Sequence, residues 1–289
     1  MEKEYSDKRL SQMEAFARLL DIMEELRVKC PWDKKQTMES LRTQTIEETY
    51  ELSDAIMKSD YQSISKELGD VLLHIVFYSK IGEEKKEFDI INVIDLLCDK
   101  LIYRHPHVFK PQSEEAKSMS KVDTADQVIK NWEQLKVKEK DGNKRVLSGV
   151  PDSLPVMIKA YRMQDKARAV GFDWEERSQV WDKVAEEMKE LQDEICNLDD
   201  LPEDADSQTK ASVRKPAKEE LGDVLFSIIN AARLYKLNPD TALELTCQKF
   251  KRRFTYLEEQ TIRKGRSLKD MTLEEMDKYW EEAKTLEKK

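Results

Sequence analysis

Apolar residues recur every three or four positions through most of the chain, with charged residues between them. This spacing is typical of helices with one buried and one solvated face. The first half predicts five helices, over Met13–Val28, Thr43–Met57, Ile64–Ile81, Phe88–Tyr103 and Val122–Lys140. The second half predicts five more, near 154–170, 177–197, 216–236, 239–264 and 272–287. Short connections favour antiparallel packing of neighbouring helices.

One connection differs from the others. The run Asp199–Ser212 is polar, contains a proline and lacks periodic apolar residues, so it predicts an exposed loop or a partly ordered excursion. Pro216 would then fit the first turn of the helix that follows, where a proline is tolerated.

The chain contains an internal duplication. Glu67–Leu72 and Glu220–Leu225 both read Glu-Leu-Gly-Asp-Val-Leu, and a glutamate cluster precedes each of them. Further features follow in the same order in both halves: the basic pairs Lys100/Arg104 and Lys249/Arg253, and the aromatic residues Trp132 and Trp280. A repeated order of this kind indicates two tandem domains. We place them at residues 1–145 and 150–289, with the joint in a turn-forming stretch.

Composition narrows the fold and the function. Asp, Glu, Lys and Arg make up 38% of the 289 residues, but there are only 7 glycines and 8 prolines for turns. This balance argues against a strand-rich sandwich or barrel. Together with the helical periodicity and the duplication, it predicts an all-α fold of two four- or five-helix bundles. The net charge of −9 argues against general nucleic-acid binding, which usually needs a basic face.

The sequence predicts a cytoplasmic protein without membrane contact. No apolar run is long enough to span a bilayer, and the N-terminus lacks the apolar segment of a signal peptide. The four cysteines are too widely spaced for a zinc-type or redox pair. No histidine follows a glutamate by three residues, which excludes a di-iron carboxylate bundle. His105 and His107 flank a proline and are interpreted as the end of a helix.

The candidate chemistry lies in paired carboxylates. Glu187 and Glu190 are three residues apart, as are Glu220 and Asp223, so each pair shares one helix face. If the two helices pack together, carboxylates about 6 Å apart repel each other by about 3 kcal/mol at an effective dielectric constant of roughly 20. A divalent cation reverses this repulsion, and an all-oxygen ligand set favours Mg²⁺ first and Mn²⁺ second. The corresponding residues of the first half are Glu48, Glu51, Glu67 and Asp70.

Gly69 and Gly222 occupy the same position beside these carboxylates. Because glycine inside a helix costs about 1 kcal/mol relative to alanine, the pair predicts a close backbone approach at this point. Each glutamate cluster by itself is also compatible with an ordinary solvated helix face.

These motifs resemble those of the MazG nucleoside triphosphate pyrophosphohydrolases, members of the all-α NTP pyrophosphatase superfamily. The resemblance covers almost the whole chain and extends to three further segments, Cys30–Asp33, Arg104–Phe109 and Gly171–Trp174. It implies a homodimer that hydrolyses nucleoside triphosphates to monophosphates and pyrophosphate. It also implies dependence on Mg²⁺, broad base specificity and a role in clearing the nucleotide pool.

The resemblance assigns roles in the second domain. It implies four metal ligands, Glu187, Glu190, Glu220 and Asp223. It implies nucleotide contacts for Lys183, Glu186, Lys218, Lys249, Arg253 and Trp280. Catalysis is expected from Glu186 and Glu187, because a carboxylate must take the proton of the attacking water.

The two domains are expected to differ in activity. The first domain keeps all four carboxylates together with Lys100, Arg104 and Trp132, but Gln44 stands where the second domain has Lys183. We predict that the first domain binds metal but turns over nucleotide poorly, and that the C-terminal domain is the main catalyst.

Two other functions remain compatible with the residues. One is hydrolysis of another phosphorylated metabolite, of the alarmone, dUTP or phosphoribosyl-ATP type, because such enzymes share the carboxylate chemistry. The other is a non-enzymatic helical module whose acidic faces bind a basic partner.

Overall fold

A computed structural model of the chain describes residues 6–109 and 145–287, together with residues 111, 117, 119–125, 127–128, 131–132 and 135. The regular structure of these residues is helical throughout: the bounds of nine α-helices are defined and there is no strand. The predicted all-α fold is therefore confirmed. Over the same residues, no helix is both long enough and apolar enough to cross a membrane.

The chain divides into two compact units, Met1–Val128 and Ile129–Lys289. The first unit contains α1 (Asp7–Lys29), α2 (Met38–Met57), α3 (Tyr61–Glu84) and α4 (Ile90–Arg104). The second contains α5 (Val156–Ala169), α6 (Val180–Asp199), α7 (Ser207–Leu234), α8 (Pro239–Arg263) and α9 (Leu273–Leu286). Most of the predicted tail helix Val122–Lys140 lies outside the described residues. The predicted domain limits of 145 and 150 stay a prediction.

The first unit is built around α3. Met23 of α1, Leu41 of α2 and three residues of α3, Val76, Phe77 and Ile81, form a fully buried apolar cluster. Arg27 closes the far end of this core, because its Nε lies 2.9 Å from the Glu84 carboxylate and joins α1 to α3.

The second unit is built around α7. α6 packs along α7, and α5 and α8 also contact it, while α9 packs against α8. Buried apolar side chains come from each of these helices: Ala160, Val180, Val224, Leu257 and Ala283. The paired helices α6 and α7 thus repeat the arrangement of α2 and α3.

The start of α7 shows how local hydrogen bonds set a helix boundary. The Asp206 carboxylate accepts hydrogen bonds from the backbone N–H groups of Gln208 and Thr209, at 2.8 and 2.9 Å, and from the Thr209 hydroxyl. A cap of this kind satisfies backbone donors that otherwise have no partner in the first turn.

Two sequence predictions are wrong at this point. The predicted loop Asp199–Ser212 shortens to residues 200–206, since the cap starts the helix earlier. Pro216 lies inside α7 rather than in its first turn. A proline in a helix interior removes one hydrogen bond and costs about 3 kcal/mol, so the Asp206 cap and the packing of α7 against three other helices must offset this cost.

The predicted close approach at the motif glycines is also wrong. A Cβ atom added at Gly69 or Gly222 would meet no described atom within 4 Å, so both glycines face open space within their units. The crowded glycine is Gly82 in the last turns of α3, where a Cβ atom would lie 2.7 Å from the backbone oxygen of Phe88. Close packing therefore requires glycine where α3 turns towards α4, and not beside the carboxylates.

Candidate active site

Three carboxylates converge where α6 packs along α7. Glu187 comes from α6, and Glu220 and Asp223 come from one face of α7, with one oxygen of each lying within 4.8 Å of the others. Glu187 is buried, Glu220 is half-buried and Asp223 is exposed. The cluster is therefore closed on the α6 side and open to solvent on the other.

The carboxylates of this cluster are all acidic, so their negative charges repel one another. Burial raises the pKa of Glu220 above its ordinary value, and the negative charges of Glu190, Asp223, Glu187 and Glu194 raise it further. The charge of Glu190 thus raises the pKa of Glu220, although Glu190 is not one of the three residues whose oxygens lie within 4.8 Å of one another. Glu194 was missed by sequence reasoning; its position one turn after Glu190 on the same face was the available signal.

Lys183 is the cation that the second unit places at this cluster. Its Nζ lies 2.8 Å from Oε1 of Glu187 and 3.1 Å from Oε1 of Glu186. These two hydrogen bonds, with Glu187 contributing most, raise the pKa of Lys183, so the ammonium stays charged at neutral pH. The predicted substrate-binding lysine and both predicted catalytic glutamates are therefore in direct contact.

The first unit repeats the carboxylate cluster. Glu48 of α2 lies with Glu67 and Asp70 of α3, again with one oxygen of each within 4.8 Å of the others. Burial raises the pKa of Glu48, and Asp70, Glu51 and Glu67 raise it further. Glu51 thus corresponds to Glu190: it acts on the cluster through its charge.

The cation of the first unit comes from the opposite helix. Lys66 of α3 lies 3.0 Å from Oε1 of Glu67 and 4.0 Å from Asp70. Glu67 is only 5% exposed, and its Oε2 has no hydrogen-bond partner among the described residues. In the second unit the position of Lys66 is held by Glu219, and the lysine lies on α6 instead.

A buried hydrogen-bond network lies next to the first cluster. The Thr45 hydroxyl of α2 lies 2.9 Å from Nδ1 of His74 and 2.7 Å from the Tyr78 hydroxyl, both on α3. Burial lowers the pKa of His74, so the imidazole is neutral at pH 7, although Asp70 opposes this shift. The network joins α2 to α3, and sequence reasoning gave His74 no role.

Comparison with known proteins identifies the family of these paired clusters. The MazG nucleotide pyrophosphohydrolase domain matches the chain twice, over residues 36–109 and 176–257, and each match contains one carboxylate cluster. The chain belongs to the MazG nucleotide pyrophosphohydrolase family. The predicted tandem repeat is confirmed, because the domain occurs in both halves.

Relatives are similar to this MazG chain along its length. A nucleoside triphosphate pyrophosphohydrolase/pyrophosphatase MazG of Thermotoga maritima is 39% identical over 93% of this chain and 95% of that protein. A nucleoside triphosphate pyrophosphohydrolase of Escherichia coli K12 is 36% identical over 95% of this chain and 99% of that protein. An uncharacterized protein of Bacillus subtilis, YabN, is 43% identical over 95% of this chain and 52% of its own length.

In the second MazG domain, two of the residues with an implied nucleotide contact lie where α8 packs against α9. Arg253 of α8 donates two hydrogen bonds to the Glu287 carboxylate, at 2.9 and 2.6 Å. Its guanidinium also lies 5.8 Å from the ring centre of Trp280, which packs against Phe250 at 5.2 Å. The structure therefore uses Arg253 and Trp280 to hold α8 and α9 together.

The remaining residues with an implied nucleotide contact, or matching one in the first half, are spread over several helices. Lys218 is exposed on α7, two residues before Glu220, and Lys249 is half-buried on α8, one turn before Arg253. In the first unit, Lys100 is exposed on α4 and Arg104 is buried in its last turn. Trp132 is half-buried and falls in the second compact unit, not in the first.

Proposed function

We propose that this MazG protein hydrolyses nucleoside triphosphates to nucleoside monophosphates and pyrophosphate, with broad base specificity. The supporting observation is the same three-carboxylate cluster in both units, each inside a match to the MazG domain. The names of the Thermotoga and Escherichia relatives, which align over almost their whole length, support the same activity. The proposed physiological role is clearance of nucleotides from the cytoplasmic pool.

We propose Mg²⁺ as the cofactor, with Mn²⁺ as a substitute. The donor set fits, because carboxylate oxygens are the ligands that hard divalent cations prefer. In the first domain the unpartnered, buried Oε2 of Glu67 is a further donor that a cation would satisfy. When bound, the cation supplies positive charge to the phosphate oxygens and to the leaving pyrophosphate. The ligands in the second domain would be Glu187, Glu190, Glu220 and Asp223.

The protein's own side chains supply binding and proton transfer. Lys183 stays charged and offsets the charge of the phosphates, since it is held at the cluster by two carboxylates. Glu186 is the better placed proton acceptor, because its side chain is 56% exposed and can reach water, whereas Glu187 is buried. Hydrolysis between the α- and β-phosphates needs a water aimed in line at phosphorus and a nearby base of this kind.

The position of the lysine favours the second domain as the main catalyst. In the first domain, Lys66 contacts Glu67 and Asp70, which are two of the proposed metal ligands on one helix. It therefore competes with a cation for these oxygens. In the second domain, Lys183 contacts one proposed ligand, Glu187, together with Glu186, which is not a proposed ligand. It therefore competes with a cation at one ligand and not at two.

We also propose that the protein is a homodimer. Exposed apolar side chains follow the carboxylate-bearing helices in both units: Leu68, Leu72 and Ile75 on α3, and Leu221, Leu225 and Ile228 on α7. Contiguous exposed apolar surface of this kind is typical of a subunit contact. Light scattering on the intact protein measures the mass directly, and a monomeric mass at micromolar concentration would contradict the proposal.

A substrate panel tests the proposed activity. The intact protein is incubated with the common ribo- and deoxyribonucleoside triphosphates and Mg²⁺, and both pyrophosphate and the nucleoside monophosphate are quantified. We expect the two products in equal amounts, with several bases accepted and with no reaction in EDTA. Release of orthophosphate, or turnover confined to dUTP or to a non-nucleotide metabolite, would favour a different hydrolase. The absence of any product with either Mg²⁺ or Mn²⁺ would contradict the proposal.

A further inference from the structure

The lysine beside the first carboxylate cluster bends around its own helix to reach it. Consecutive residues of a helix do not face each other, yet Nζ of Lys66 lies 3.0 Å from Oε1 of the next residue, Glu67. The same Nζ lies 4.0 Å from Oδ2 of Asp70. A lysine that formed only an ordinary surface pair would contact Asp70, one turn further along α3, and not Glu67. The side chain of Lys66 is therefore drawn towards the cluster.

The charge of Lys66 acts on every carboxylate of this cluster. Burial and three neighbouring carboxylates raise the pKa of Glu48, which comes from the opposite helix, and the positive charge of Lys66 opposes this rise. In return, the hydrogen bond from Glu67 raises the pKa of Lys66 most, and the charges of Asp70 and Glu51 raise it further. One ammonium group is thus coupled to all four proposed metal ligands of the first unit.

The buried carboxylate of the cluster needs a counter-charge. The side chain of Glu67 is 7% exposed, and an ionised carboxylate that is buried costs stability unless a cation pairs with it. Lys66 supplies that cation in the metal-free protein. Its own side chain is 70% exposed, and water solvates an exposed ammonium group well, so the lysine can leave the cluster at little cost. The counter-charge is therefore displaceable.

The second unit has a different arrangement at the corresponding positions. Glu219 stands where the first unit has its lysine, and this carboxylate lies 3.8 Å from Lys215, one turn earlier on α7. Lys183 contacts Glu187 and Glu186, which are ordinary neighbours at spacings of four and three residues on the same helix. It contacts one proposed ligand and lies on α6, opposite the acidic pair of α7.

We infer that Lys66 is a built-in counter-ion that takes the place of a divalent cation in the first cluster, an inference that rests on the proposed function. A divalent cation must displace the ammonium group from Glu67 and Asp70 before it binds there, whereas the second unit carries Glu219 at the position of this competitor. The two metal sites of the chain therefore differ in affinity. The second site fills at a lower Mg²⁺ concentration, while the first is still neutralised by its lysine.

Equilibrium binding of Mn²⁺ to the nucleotide-free protein tests this inference without turnover. Electron paramagnetic resonance measures free Mn²⁺ during a titration of the intact chain, and it gives the number and affinity of the bound ions. We expect a tighter and a weaker class of site in the wild type, and Glu220→Gln should weaken the tighter class. Lys66→Gln should tighten the weaker class by about tenfold, because it removes a positive charge from beside a divalent cation.

Lys29→Gln is the matched control. Lys29 is 69% exposed and pairs with Glu25 one turn earlier, so it resembles Lys66 in exposure and in its surface pairing. It ends α1, where Arg27 contacts Glu84, and Glu84 is about 21 Å beyond the cluster along α3. Both classes of Mn²⁺ site in this variant should stay within about twofold of the wild type.

Thermal unfolding adds a measurement with Mg²⁺ itself. In EDTA, Lys66→Gln should unfold at a lower temperature than the wild type, because Glu67 loses its counter-charge. Mg²⁺ should raise the midpoint of this variant more than that of the wild type, since the ion then replaces the missing lysine. The reverse change in the second unit, Glu219→Lys, should weaken the tighter class of Mn²⁺ site, whereas Glu219→Gln should not.

Several results would overturn the inference. They are two sites of equal affinity in the wild type, a weaker class unchanged by Lys66→Gln, or a midpoint of that variant in EDTA equal to the wild type. If Lys66→Gln does not fold, an unchanged tighter class in Glu219→Lys decides against the inference. Unequal Mn²⁺ sites in a protein that releases no pyrophosphate contradict the proposed activity alone. Equal sites in an active protein contradict the counter-ion role alone.

Discussion

At the scale of single residues, the two clusters share their carboxylates but differ in the helix that supplies the lysine, α3 for Lys66 and α6 for Lys183. The carboxylates could be found from sequence, because spacing of three residues places two side chains on one helix face. The helix that supplies the lysine in each unit could not be found from sequence. Gln44 suggested that the first unit lacks a cation at its cluster, yet Lys66 provides one from the other helix. Sequence spacing relates residues within a helix, whereas this contact depends on the packing of two helices.

Neutralising one carboxylate should stabilise the metal-free protein. The pKa of Glu220 is raised by burial and by its acidic neighbours, so its ionised form destabilises the folded state at pH 7. We expect Glu220→Gln to raise the midpoint of thermal unfolding in EDTA at pH 7. The sign follows from linkage: because the folded pKa lies above the unfolded one, the wild type regains this stability as the pH falls through the raised value. The difference between variant and wild type should therefore disappear near pH 4.

The same variant tests the metal. Mg²⁺ should raise the unfolding midpoint of the wild type, because a ligand that binds only the folded state stabilises it, and it should raise that of Glu220→Gln less. Glu219→Gln, a change at the exposed neighbouring position on α7, is the matched control and should behave as the wild type. A lower midpoint for Glu220→Gln in EDTA would contradict the account of the cluster.

Glycine substitutions separate the crowded from the open positions. Gly82→Ala should destabilise the first unit by about 1–3 kcal/mol, because the new methyl group would overlap the Phe88 backbone and ring. Gly69→Ala has open space and should stabilise α3 by up to about 1 kcal/mol. Urea unfolding monitored by circular dichroism measures both. Equal destabilisation by the two changes would show that Gly69 is also packed against a neighbour.

At the scale of the elements, most helices lie within a few residues of their predicted bounds. Periodicity locates the middle of a helix well, but its ends depend on side-chain caps. The start of α7 was missed because residues 199–212 are polar, contain a proline and lack periodic apolar residues, and because Pro216 suggested a first turn. The fold could thus be predicted from the sequence, whereas a helix boundary set by three hydrogen bonds could not.

The first turn of α9 should make stability depend on pH. Glu275 pairs with Arg266 and forms a capping box with Thr272, and these contacts, with Arg266 contributing most, lower the pKa of Glu275 to about 2. Because the folded pKa lies below the ordinary value of 4.5, this stabilisation is present above pH 4.5 and is lost as the pH falls towards 2. We expect Glu275→Gln to lower the thermal midpoint at pH 7 and to match the wild type at pH 2.

The neighbouring residue provides the control for this prediction. Glu274→Gln changes an exposed carboxylate in the same turn, and its distance of 3.8 Å from Lys278 is typical of a weak surface ion pair. It should have little effect at either pH. If Glu275→Gln and the wild type differed equally at pH 7 and pH 2, the assigned role of the carboxylate charge would be wrong.

At the scale of the whole molecule, the chain carries two copies of one carboxylate cluster with different cations beside them. The duplication, the helical fold and the carboxylates could all be predicted from repeated motifs. The two domains are chemically different because Lys66 and Lys183 contact different carboxylates of their clusters. We therefore expect the second domain to perform the hydrolysis.

The steady-state rate of pyrophosphate release by two matched variants tests this claim most directly. Glu187→Gln and Glu48→Gln remove the same charge at corresponding positions of the two clusters in the intact protein. We predict that Glu187→Gln lowers kcat by about 100-fold or more, because it removes a proposed metal ligand that also holds Lys183 at the cluster. Glu48→Gln should keep kcat within about threefold of the wild type. Loss of activity in Glu48→Gln with an active Glu187→Gln would contradict the account and assign catalysis to the first domain.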